Sequence, residues 1–279
     1  MADQVLTASG SNSAIVPEVW SSQFQQVLND SVVFPSIVRR DYEGEITSRG
    51  DTVNIPSIAD VTATDLQDGG RNDAQTITAT TTALVVDSIA AVDFKISTLA
   101  ELQSVDFVEE LRKKGSEAIM RKIQDDIIAA VAPSTSAPDH TIAYTTSTTL
   151  ADVDLLAALD LEADANWSRL PGRYLVTGEK QMLDLVANSK FYDNTLGGNT
   201  SLSAGAVTGS IYGHAPSGSS ACGTTTYMFH DSFMQMAIQR GLNVTVTDLA
   251  VLGERGYRLN MDVIYGIKQV HSNRVITIG

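Results

Sequence analysis

The chain is short of the residues that several common chemistries require. It has one cysteine, Cys222, which excludes an intrachain disulfide and a multi-thiolate metal site and suits a reducing compartment. Its four histidines, His140, His214, His230 and His271, form no H-x-x-x-H pair or other compact ligand spacing, so no metal site is expected. Basic residues are also scarce. Nineteen Lys and Arg against 33 Asp and Glu leave a formal charge of -14, a balance that repels phosphate backbones and argues against sequence-specific nucleic-acid binding. The densest basic cluster, Arg112, Lys113 and Lys114, follows Glu109 and Glu110 and reads as a solvated helix face.

Long apolar runs are missing too. The most apolar stretch, residues 83–94, contains Asp87 and Asp93 and falls short of the roughly 20 residues that a bilayer span needs. Met1-Ala2-Asp3-Gln4 opens with no basic region followed by an apolar run, so no secretory signal and no membrane association are expected. A G-x-S-x-G elbow, a G-x-x-x-x-G-K-[ST] loop and a G-x-G-x-x-G turn are all lacking. No catalytic residue, cofactor site or metal ligand stands out, and an enzyme is not expected. The four N-x-[ST] matches, at Asn29, Asn166, Asn199 and Asn243, are chance matches in a chain without a secretory signal.

What is present is enough to fold. Hydrophobic residues make up 43% and charged residues 19%, a globular composition with room for two modest domains or one elaborated one. After a polar leader, Pro17, Trp20, Phe24, Val27 and Leu28 mark a short amphipathic helix that Phe34-Pro35 interrupts, which reads as an arm. Residues 43–94 then change to two extended limbs. In the second limb Thr76, Thr78, Thr80 and Thr82 share one face, while Ile77, Ala79, Ala83 and Val85 share the other. The tip between the limbs holds turn residues, among them Asp65, Asp68, Gly69, Gly70, Arg71 and Asp73. Such a hairpin is too weakly apolar to be stable alone and needs a neighbour.

Residues 97–132 carry the strongest helical signal, with Leu99, Leu102, Val105, Val108, Leu111, Ile119, Ile123, Ile127 and Val131 at compatible spacings before Pro133. The run would reach about 50 Å at about 1.5 Å per residue. Gly115 inside it points to close packing or a bend. A Ser/Thr/Pro-rich connector leads to a mixed unit, with helices at Leu155 to Leu161 and around Met182 and Leu185, and a buried strand at Tyr174-Leu175-Val176. Residues 196–226 read as long surface loops, and Asp231 as the cap of a helix over residues 233–238. Tyr257, Leu259, Met261, Val263, Tyr265 and Ile267 share one side of a strand expected to pack across the long helix, followed by a last strand at residues 275–278.

The opening Ile15-Val16-Pro17-Glu18-Val19-Trp20, then Val33-Phe34-Pro35-Ser36-Ile37-Val38-Arg39-Arg40-Asp41-Tyr42-Glu43-Gly44-Glu45-Ile46 and Gly50-Asp51-Thr52-Val53-Asn54-Ile55-Pro56, resembles that of tailed-phage major capsid proteins. The closing Tyr265-Gly266-Ile267-Lys268 is similar to that family's ending. The resemblance implies an α+β capsid fold shared with herpesviruses. Its parts would be an N-terminal arm (1–42), an extended loop (43–95), a peripheral domain with a spine helix (96–150 and 255–279) and an axial domain (151–254). It implies a structural subunit that self-assembles into hexamers and pentamers of an icosahedral virion head around double-stranded DNA, built in the host bacterial cytoplasm. Portal and decoration proteins would be candidate partners. About 40 residues precede the loop, too few for a fused scaffolding helix, so a separate scaffolding protein is expected. The loop's one lysine, Lys95, lies at its base, which argues against crosslinking at the tip.

Trp20 and Phe24, as packing anchors, and Asp65, Asp68, Arg71 and Asp73 of the tip are then the candidate intersubunit contacts, the four tip residues with Glu109, Glu110, Arg112 and Lys113 of a neighbour's spine as their counterparts. Competing readings are a β-rich phage tail or adhesion protein and a soluble α/β hydrolase. Fibres or trimers would favour the first, and turnover abolished by a single substitution the second.

Overall fold

The computed structural model describes residues 32–42, 52–58, 61–63, 65, 75–97, 107–192, 201–203, 206–249 and 256–279. Helix α1 (Phe34–Ile37) is a single turn with Pro35 near its start, where the missing N–H is not needed. Strand β1 (Thr52–Ile58) pairs antiparallel with β2 (Ala79–Val85), from Thr52 opposite Val85 to Ile58 opposite Ala79. Strand β3 (Ser88–Ile96) follows, then the long helix α2 (Phe107–Ala129). At about 1.5 Å per residue the described helix is roughly 35 Å long. The Ala130 N–H still donates to the Asp126 carbonyl as well as to that of Ile127, the Val131 N–H bonds three residues back to Ile128, and Pro133 cannot supply a further donor.

The central part of the chain forms β4 (Thr141–Ile142), α3 (Asp152–Asp164), β5 (Arg173–Thr177), α4 (Glu179–Ala187) and α5 (Ser189–Tyr192). After these come β6 (Ser201–Ser203), β7 (Ala206–Thr208), β8 (Ala215–Gly218) and β9 (Thr226–His230). The C-terminal part is β10 (Met234–Asp248), β11 (Tyr257–Gln269) and β12 (Val275–Ile278). The two larger sheets have the orders β10-β11-β3 and β4-β12-β9-β5-β8. The first is wholly antiparallel, whereas β5–β8 and β12–β4 make the second mixed.

Helix α2 forms because Ile119, Ile123 and Ile127 recur every four residues and bury one stripe. That stripe packs on Met261, Val263 and Tyr265 of β11, Ala90 of β3, and Met234 and Met236 of β10. A Cβ on Gly115 would sit 1.8 Å from Met261 Cε and 3.0 Å from a ring carbon of Phe94, so close packing explains this glycine. The same core includes Phe34, which stacks on Phe229 at 5.7 Å and meets Tyr227 edge-on. A second core lies on the five-stranded sheet, where Leu155, Ala158, Met182 and Leu185 of α3 and α4 meet Leu175, Met228 and Ile276.

Several elements differ from the sequence reading. Residues 234–238 belong to β10, preceded by a 3-10 turn at Asp231–Phe233. Phe233, Met234, Met236 and Ala237 are all fully or nearly fully buried, and a strand covered on both faces shows no alternation to set it apart from a helix. Residues 206–226 are partly sheet, and Ile211, His214, Ser219, Cys222 and Thr226 are buried there. Pairing with β5 gives these small residues a place that their composition does not announce. Of residues 255–279, β11 pairs with β3 and packs in the core under α2, whereas β12 joins the five-stranded sheet beside β9. Conversely β10, from the segment grouped with the central unit, pairs with β11 under α2.

Candidate assembly surface

The ribbon β1–β2 is mostly exposed, with one buried residue in each strand. Its inner face, with Val53 opposite Leu84 and Ile55 opposite Thr82, closes a small third core. There Ile55, Leu84 and Val86 meet Ala237, flanked by Tyr42, Val53, Ile264 and Val270. Burial therefore follows the phase of the threonines at 80 and 82, continued by Leu84 and Val86. The phase of Ile77, Ala79, Ala83 and Val85 faces outward.

That outward face sets Pro56, Ile58, Ala79, Ala83 and Val85 among Thr52, Asn54 and Thr81, and all eight residues are exposed. Ile58 is 68% exposed, Ile77 64% and Val85 39%, with Val61 beyond the strand equally open. Pro56 lies on β1, which has a single partner, and an edge strand tolerates the missing N–H. Past the paired strands, Gln75 braces the limbs by accepting from the Thr62 N–H at 3.2 Å and donating to Thr62 Oγ1 at 3.2 Å. An exposed apolar strand of this kind is a site for association or aggregation.

The proposed contacts read from the sequence are only partly described. Asp65 is exposed on the ribbon. On α2, Glu110 is half-buried while Arg112 and Lys113 are exposed, and Glu109 lies in the first turn. Trp20, Phe24, Asp68, Arg71 and Asp73 fall outside the described residues.

The N-terminal segment is fastened to the body at three levels. Phe34 fills the main core, the Val33 N–H donates to Gln124 Oε1 at 2.8 Å, and Gln124 Nε2 donates to Ser219 Oγ at 3.1 Å. One buried glutamine of α2 thus ties the arm to the loop after β8. Arg39 then pairs with Gln235 of β10 in a parallel bridge and reaches Asp231 at 3.1 Å.

Asp231 belongs to the junction between the two sheets. Both crossings, β9 to β10 and β11 to β12, pass through 3-10 turns, at Asp231–Phe233 and Ser272–Arg274. The Val270 and His271 N–H groups donate to the Phe233 carbonyl at 2.9 and 3.1 Å, and Arg274 donates to Ser232 Oγ at 2.5 Å. Burial holds the His230 imidazole below its usual range despite Asp231, with Arg274 adding to the depression. His271 is lowered by burial, Arg274 and His230. On α2, burial pushes the Asp126 carboxyl up, but hydrogen bonds from Lys122 and Tyr265 outweigh it and leave Asp126 below the carboxylate range.

One ionic cluster is sealed inside the five-stranded unit. Glu162 of α3 meets His214 Nε2 at 2.7 Å and Arg173 Nη1 at 3.2 Å, with the Glu162 and His214 side chains fully buried. The edge of Trp167 closes it at 6.3 Å from the His214 ring. The cluster joins α3, β5 and the turn before β8, and breaking such a pair leaves an uncompensated charge. Among the described residues no three His, Cys, Asp or Glu side chains converge as metal ligands. Periodicity could not have indicated the cluster, the Gln124 tie or the two-turn junction, since each joins residues distant in sequence.

Comparison with known proteins shows what this architecture is. No protein-family model and no curated protein matches the chain. Solved structures do. The capsid structure of the cyanophage P-SCSP1u is similar with a TM-score of 0.75 at 14% identity, covering 98% of this chain and 96% of that one. A chain of Mycobacterium phage Che8 has a TM-score of 0.73 at 22% identity, covering 95% and 97%. The asymmetric unit of the bacteriophage PhiM1 mature capsid has a TM-score of 0.69 at 14% identity, covering 99% and 96%. The chain therefore has the α+β fold of phage capsid chains over nearly its whole length.

Proposed function

We propose that this chain is the structural subunit of a phage head, assembling with copies of itself into hexamers and pentamers of a closed shell around double-stranded DNA. The observation that carries this reading is the ribbon, which is anchored at its base and presents exposed apolar residues, Ile58 and Val85 among them, on an uncovered face. Laid on an adjacent copy, that face would be buried. A subunit held by ribbon, arm and body at once is retained by avidity even where each contact is weak. In this reading the β10-β11-β3 sheet with α2 forms the peripheral unit, and the five-stranded sheet with α3 and α4 the axial unit. The acidic charge keeps packaged DNA from being gripped at many phosphates. The role is structural and not enzymatic.

The same reading places Asp65, Asp68, Arg71 and Asp73 of the ribbon tip against Glu109, Glu110, Arg112 and Lys113 of a neighbour, with Trp20 and Phe24 anchoring the arm. Assembly would take place in the host cytoplasm with a separate scaffolding protein and a portal, and the finished shell would be open to a decoration protein. Electron microscopy of the protein expressed with and without its genomic neighbours tests the proposal. Shells, rings or tubes of capsomers are expected. A monodisperse single copy under both conditions, even at high concentration, would sink it.

A further inference from the structure

Strands β10 and β11 treat their two faces differently. Toward α2 they present Met236 opposite Ile267 and Ile238 opposite Tyr265, all in or against the main core. Between those pairs, on the other face, Ala237 lies opposite Gly266. The two smallest side chains thus meet across the ladder, flanked by large residues that point away. The chain crosses the sheet at this notch, leaving β2 at Val85 and entering β3 at Ser88. A Cβ on Gly266 would come within 2.2 Å of the Val85 carbonyl oxygen and 2.8 Å of Val86 Cα. Those are backbone atoms, which cannot swing aside as a side-chain tip can.

The surroundings hold the crossing in place. Leu84 and Val86 are buried against Ala237, with Ile264 beside them. Further along the same face of β11, Asp262 is tied to Arg240 and, at 3.0 Å, to Asn243, so the apolar base of the ribbon has no equivalent seat there. We propose that Gly266 and Ala237 form a positioning saddle that sets the direction in which the ribbon leaves the body. If the ribbon rests on an adjacent copy, as the proposed function has it, the saddle also sets the angle between neighbouring subunits and hence the curvature of what they build.

Three variants test the saddle. Gly266→Ala adds one carbon under the crossing and forces the ribbon base to lift. Ala237→Val fills the notch from the opposite strand without altering the glycine. Leu84→Ala loosens the plug while leaving the notch open. In the isolated chain, Gly266→Ala and Ala237→Val are expected to speed amide exchange at residues 53–55 and 82–86 at least tenfold, with exchange over residues 119–127 of α2 unchanged. Co-expressed with the genomic neighbours, both are expected to give tubes, open sheets or shells of altered diameter, whereas Leu84→Ala gives shells of unaltered diameter at lower yield. Wild-type diameter and wild-type exchange in Gly266→Ala would overturn the saddle. Should that variant lose its α2 protection as well, Ala237→Val decides by the same two readouts. Absence of any assembly by the unaltered protein would count against the proposed function alone, since exchange in the isolated chain still reads the saddle.

Discussion

The five-stranded unit and the β1–β2 ribbon make opposite use of similar residues. In the first, β9 is buried at every position, and helices α3 and α4 cover one face of the sheet while Phe34 and α2 cover the aromatics on the other. In the second, Ile55 and Leu84 are buried and Val53 half-buried, while Ile58, Ile77 and Val85 carry their apolar side chains into solvent. The contrast sets enclosed apolar surface in one region against open apolar surface in the other. Burial within one chain stabilises that chain by about 25 cal/mol per Å² of apolar surface, while apolar surface left outside can gain that free energy only from a second molecule.

The sharpest way to break the contrast is to damage the enclosed side. Phe229→Ala would empty a fully buried site shared by Phe34, Tyr174 and Phe233, and a loss of about 3–5 kcal/mol is expected in chemical denaturation. A value under about 1 kcal/mol would mean that the two sheets do not depend on a common core.

A smaller effect should appear on acidification at the junction. His230 and His271 titrate below the usual imidazole range because burial disfavours their charged forms and Arg274 repels them, with Asp231 partly opposing this at His230 and Arg39 adding to it. The unfolded chain therefore binds protons more readily than the native one. The stability these residues contribute is complete above their ordinary value of 6.5 and is lost as pH falls through the lowered native values. Unfolding midpoints measured across that window should fall with pH, and replacing both histidines by Asn should flatten the slope. An unchanged slope in the double variant would place the acid sensitivity elsewhere.

On the ribbon the balance reverses. Ile77→Asp should leave monomer stability within about 0.5 kcal/mol, as expected for an exposed site, yet abolish or strongly reduce assembled particles in sedimentation. Normal particle yield would show that the outward face is not an interface. The smallest expected effect is that of Arg71→Glu at the ribbon tip. It should weaken assembly more than folding, and because exposed ion pairs contribute only about 0 to 1 kcal/mol each, repetition around a shell would be needed to make the loss visible as reduced yield.

Helix α2 was legible because its apolar stripe repeats every turn, and the two limbs of the ribbon because strand alternation and turn residues bracket them. The inward phase of the ribbon was not legible. Ile77 and Val85 are as apolar as Leu84 and Val86, and it is the second pair that packs with Ala237 where the chain passes close over Gly266. Residues 233–238 resemble a helix for the same reason, since burial on both faces erases the period of two. Of the candidate contacts, Asp65, Arg112 and Lys113 stand exposed, and the pairing proposed for them would lie between copies, where no pattern within one chain can encode it.

By itself the sequence determined what each stretch can do alone, a helix where apolar residues return every turn and an extended limb where they alternate, together with a net charge of -14. Tertiary structure decided what each stretch lies against, placing β12 beside β9, β10 beneath α2 and the ribbon across Gly266. The physical reason is that local periodicity records how exposure varies along one element, whereas strand partnership and the choice of covered face depend on distant side chains fitting together in space.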